Sequence, residues 1–209
     1  METLAKRALA ARVVSNQRPT VDWNTCGQAA IATLQRVHGL DDAQQGDHGA
    51  AIDRVRAQFP PDLPFGLGTS PRRVVSALEA GGLEVEVVHS GGFGARRRRA
   101  WARLAIHLGL RMQAIVCLDG GQVGCGPWSA HWAVALWMDE AGIRLGNVGG
   151  SATWSFARFE KAWACRHLPF GYNHLAVLAR PAAPDYDRSS PLGDHSAGSS
   201  QHGERSSVS

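Results

Sequence analysis

Apolar residues recur at helical spacing in the first half of the chain and in short alternating or continuous runs in the second. After Trp23-Asn24-Thr25, the residues Ala30, Ile31, Leu34 and Val37 line one helical face, and Gly39 supplies a stop. Asn24 or Thr25 is placed to cap that helix, which puts Cys26 in its first turn. Ile52, Val55 and Phe59 predict a second helix around 49–58, closed by Pro60-Pro61. Ser70-Pro71 reads as a cap followed by a first-turn proline, opening a helix that runs to Gly81-Gly82. Leu83 to Val88 alternates and predicts a strand. Trp101, Leu104, Ala105 and Leu108 predict one more helix.

From residue 111 the pattern turns to strands, at 114–118, 131–138 and 143–146, with a hairpin joining the last two through Asp139-Glu140-Ala141-Gly142. Ser155 caps a short helix bearing Phe156, Phe159 and Trp163, and 174–179 reads as a last strand. Helices first and strands second predict an α+β fold with an antiparallel sheet, not an alternating parallel one.

Composition sets the limits of this folded unit. The chain has 209 residues, 44% of them hydrophobic, enough for one buried core and too many for disorder throughout. From Pro181 the composition shifts to a Ser/Gly/His/Asp-rich stretch, with Leu192 and Val208 its only aliphatic residues beyond the start. That stretch, 181–209, is expected to be disordered, the domain to span 12–180, and 1–11 to be an N-terminal extension. No apolar run is long enough to cross a bilayer, so no membrane partner is expected. Charges at Glu2, Lys6, Arg7 and Arg12 interrupt any secretory core, so a cytoplasmic location is expected.

The net charge of +4 rests almost wholly on arginine and permits acidic partners without requiring them. Its one run, Arg96 to Arg99, lacks the recognition motif or aromatic platform of a nucleic-acid binder, so nucleic acid is disfavoured as a partner. Cys26, Cys117, Cys125 and Cys165 have no CxxC spacing and no histidine at metal-ligand spacing. Neither a disulfide scaffold, a metal nor a cofactor is expected. Cys117 reads as core, Cys125 as a loop thiol and Cys165 as packed.

Three segments carry candidate chemistry: Thr25-Cys26-Gly27 at a helix start, His131-Trp132-Ala133-Val134 at a strand start, and Asn147 at the end of the paired strand. A helix N-terminus favours a thiolate at Cys26. His131 is a candidate base for it. Asn147, on the neighbouring strand, is placed for its carboxamide to orient the imidazole. An oxyanion donor completes acyl transfer, and the Cys26 amide, Gln17 and Asn24 are the candidates, Gln17 being the preferred side chain. Trp128 and Trp132, which flank the proposed base, are candidates to line a cleft.

Gln17, Asn24-Thr25-Cys26-Gly27-Gln28, His131-Trp132-Ala133-Val134, Gly146-Asn147-Val148-Gly149-Gly150 and the aromatic helix Phe156…Phe159…Trp163 together resemble a papain-like cysteine peptidase. The resemblance is strongest to the bacteriocin-processing, double-glycine group and its stand-alone relatives. It implies Cys26 as nucleophile, His131 as base and acid, Asn147 as orienter and Gln17 as oxyanion donor. The implied function is hydrolysis of a peptide or amide bond through a thioester, with a peptide or protein as substrate. Two residues depart from the group's habit: Asn147 stands where Asp is more usual, and Gln28 where Pro or Ala is common. Rival readings are an acyl transferase using the same site, a catalytically silent peptide-binding module, and an acidic-partner binder using Arg96 to Arg99.

Overall fold

The computed structural model describes residues 3–16, 24–40, 47–63, 68–91, 94–126, 129–149, 151–165 and 172–182. The stretch expected to be disordered lies, beyond residue 182, outside these residues. Four helices come first: α1 (Leu4–Ala11), α2 (Cys26–Val37), α3 (His48–Gln58) and α4 (Pro71–Ala80). They are followed by β1 (Leu83–Val88), α5 (Gly94–Gly109), β2 (Ala114–Asp119), β3 (Ala130–Asp139), β4 (Gly142–Gly146), β5 (Ser151–Trp154), α6 (Phe156–Trp163) and β6 (Ala176–Pro181).

The strands form one antiparallel sheet in the order β1-β6-β2-β3-β4-β5. Its central strands are apolar on both faces because both faces are covered. Ile115 and Cys117, Trp132, Val134 and Leu136, and Val177 and Ala179 point into a core shared with α2, α3 and α4. The intervening Ala114, Val116 and Leu118, Ala133 and Ala135, and Ala176 and Leu178 meet α5 and α6 on the other side. The two-residue period of a strand sorts these side chains. A bulge between Ala135 and Trp137 interrupts it and puts Leu136 and Trp137 into the same core.

Two elements lie outside the pattern read above. The stretch read as an N-terminal extension holds α1, capped by the Thr3 side chain on the Lys6 amide. Leu9 and Ala10 pack on the core, and Lys6 pairs with Asp139 at 2.6 Å. The short strand β5 pairs β4, Ile143 against Trp154. Strand β6 starts at Ala176, later than expected, because His174 takes a left-handed backbone, φ 52°.

Candidate functional site

Thr25 is the N-cap of α2, so Cys26 is its first residue, as the sequence pattern requires, although the Thr25 side chain makes no capping hydrogen bond. Gly27 follows because there is no room for more: a Cβ there would lie 2.5 Å from Thr69 Cβ and Oγ1. Gln28, unusual for the resemblance, is fully buried, donates from Nε2 to the Phe59 carbonyl at 3.0 Å and accepts from Thr69 Oγ1 at 3.2 Å. It therefore ties the head of α2 to the end of α3 and the approach to α4. Trp132 joins the same joint, donating from Nε1 to the Thr69 carbonyl at 2.8 Å. It is buried and serves packing, not a cleft wall; Trp128 lies outside the described residues.

Cys26 itself is 7% exposed. Burial pushes its thiol pKa up, opposed by backbone hydrogen bonding from Trp132, Gly27 and its own residue. Its sulfur thus lies beside the backbone of the residue that follows His131.

The His131 ring is held elsewhere. Ala130, Trp132, Val134 and Leu136 face the α2 side, so strand alternation directs His131 to the opposite side. Its Nε2 meets the Asn147 main-chain oxygen at 2.5 Å, and its Nδ1 meets Cys125 Sγ at 3.4 Å. Among the described residues no hydrogen bond joins Cys26 to His131. A carbonyl oxygen only accepts, so Nε2 carries the proton of the neutral ring. Nδ1 then presents its lone pair to Cys125, whose thiol donates.

The ring meets the Asn147 main-chain oxygen and not the carboxamide to which the sequence pattern assigns the orienting task. The cause is its left-handed conformation, φ 62°, which asparagine tolerates. The carboxamide turns toward α2. Its Nδ2 donates to the Trp132 carbonyl at 2.9 Å and to the Cys26 carbonyl at 3.4 Å, and its Oδ1 accepts from the Asn16 amide at 3.0 Å. Two of these three bonds are donated to carbonyls, which an ionised aspartate could not do. The asparagine in place of the more usual aspartate therefore has a local physical cause.

The described chain stops at Asn16, and Gln17 lies outside it. Asn24, the other side-chain candidate for the oxyanion, precedes the Thr25 cap. Of the other thiols, Cys117 and Cys165 are buried, and their mutual interaction pushes Cys117 well up and Cys165 down. Cys125 is exposed, and its contact with His131 escapes a reading of the sequence by elements. A signal was there in Gly124-Cys125-Gly126, a tight turn shortly before the strand that starts with the histidine.

Neither a protein-family model nor a curated protein matches the chain. Solved structures do. The peptidase domain of Streptococcus ComA, a bi-functional ABC transporter of a quorum-sensing pathway, aligns with a TM-score of 0.54 at 18% identity, over 78% of this chain and 96% of that one. A double-glycine motif protease from an AMS/PCAT transporter, solved with its leader peptide, covers 81% of this chain and 91% of its own at 12% identity and TM-score 0.48. The peptidase domain of Streptococcus mutans ComA covers 79% and 99% at 16% identity and TM-score 0.43. On the first of these likenesses, the chain has the α+β fold of the ComA peptidase domain, at an identity that carries the fold alone.

Proposed function

We propose that the chain is a cysteine-dependent hydrolase of peptide or amide bonds. The observation that carries the reading is Cys26 at the head of α2 and His131 on β3, which packs against α2, in a peptidase-like fold. Cys26 is the proposed nucleophile, at the head of α2, where the helix dipole favours a thiolate. His131 takes its proton, and the sulfur attacks the substrate carbonyl carbon. The oxyanion rests on the Cys26 amide and on Gln17, one residue beyond Asn16. The carbon–nitrogen bond breaks as His131 protonates the leaving amine, and water then hydrolyses the thioester. For Cys26 to react, His131 must first give up Cys125 and turn its ring toward the α2 side.

A silent, peptide-holding module is the second reading, favoured by the burial that keeps the Cys26 thiol protonated. The test is a mixture of unmodified peptides incubated with the protein, new termini being read by mass spectrometry. Hydrolysis predicts new termini that disappear in Cys26→Ala and in His131→Ala. Cleavage that survives Cys26→Ala overturns the assignment, and peptide retention without cleavage supports the module.

A further inference from the structure

We infer that Cys125 is a second reactive thiol, activated by His131, and the site at which a low-molecular-weight disulfide modifies this protein. The pair stands on geometry. Cys125 Sγ is 3.4 Å from His131 Nδ1, the nitrogen left unprotonated because Nε2 is committed to the Asn147 carbonyl. The loop holds the sulfur there. The Cys125 amide donates to the Gly120 carbonyl at 2.8 Å, the Gly120 amide donates to the Ser129 carbonyl at 2.8 Å, and Ser129 Oγ donates to the Gly126 carbonyl at 2.7 Å. Gly120 is the closing point: a Cβ there would fall 1.9 Å from Ser129 Oγ.

The same loop leaves the thiol open. Cys125 is exposed between Gly124 and Gly126, at φ 82° and 99°, and among the described residues a Cβ at either would meet nothing within 4 Å. A basic nitrogen on one side and open space on the other is the environment of a reactive cysteine. The remaining thiols are buried, and Cys117 and Cys165 engage each other. Among the described residues, then, none is poised as an intrachain partner, and the second sulfur comes from outside.

The step balances. The Cys125 proton passes to Nδ1, and the thiolate attacks one sulfur of R–S–S–R. The bond from Cys125 to that sulfur forms as the R–S–S–R bond breaks. The departing thiolate takes the proton from His131. The Cys125 sulfur is oxidised and the departing sulfur reduced, with no further reagent. The inference does not depend on amide hydrolysis: a chain that cleaves nothing can still exchange.

The test uses the reduced, intact chain and oxidised glutathione at neutral pH, with each thiol followed by peptide mapping. Cys125 is expected to form the mixed disulfide first, about tenfold faster than in the urea-unfolded chain, with the advantage lost in His131→Gln. Equal rates in folded and unfolded wild type overturn the inference and need no variant. So does an unchanged rate in a His131→Gln protein whose circular dichroism shows it folded, or first modification at another cysteine.

Discussion

Asn147 shows how one side chain can serve the shape of a site more than its chemistry. Its carboxamide binds the Asn16 amide and the carbonyls of Trp132 and Cys26, joining the approach to α2, the head of α2 and β3. Asn147→Asp keeps the volume and loses the donors. We expect a loss of about 3 kcal/mol at neutral pH in urea unfolding, partly regained in acid as the buried carboxyl takes up a proton. No recovery at low pH would exclude this account. Gly27→Ala acts on the same joint sterically and is expected to cost about 1–3 kcal/mol, since Thr69 is backed by Gln28 and cannot simply withdraw. Cys26 at a helix head was legible because capping residues and apolar spacing coincide there. The direction of the Asn147 carboxamide was not, since residue type does not reveal a positive φ.

At the scale of elements, the strongest local signals gave the best boundaries. Ser70 caps α4 on the Arg73 amide at 3.2 Å while its own amide and hydroxyl bond to Asp62 at 2.7 and 2.6 Å. Ser70→Ala should lower stability by about 1–2 kcal/mol, measured by thermal unfolding, and an unchanged midpoint would show the cap to be dispensable. Helix α1 and strand β5 went unread because what holds them is distant: the Lys6 pair with Asp139 and the β4 edge. The arginine run Arg96 to Arg99 belongs to α5, where Arg97 is paired with Glu160 at 2.5 Å. A solvated helix start is thus how the structure uses at least part of that charge.

At the scale of the molecule, Glu160 links α6, α5 and the approach to β6. It pairs with Arg97, accepts from Trp101 Nε1, and meets His174 Nε2 at 3.0 Å, while His174 Nδ1 reaches Ser90 Oγ at 2.8 Å. Burial alone would raise the carboxyl, but hydrogen bonds from His174 and Trp101 and the nearby charges outweigh it and hold it below the usual range. A depressed carboxylate stabilises the fold above its unfolded pKa and loses that contribution as pH falls through the folded value. Thermal midpoints measured from pH ~7 to ~3 should therefore drop more steeply at the acid end in wild type than in Glu160→Gln. Equal acid limbs would remove Glu160 as the cause. The α+β class and antiparallel sheet were legible from the order of periodicities. The strand order was not, because nothing local says that the last strand enters the middle. Yet β6 lies between β1 and β2, closing a sheet whose other strands are already synthesised. A chain emerging from the ribosome thus carries β2 with one bare edge, and β1 with no partner, until residues near 181 are free of the exit tunnel. This sheet cannot close before β6 is available, and the interval before β6 docks is when the nascent chain is most exposed to aggregation.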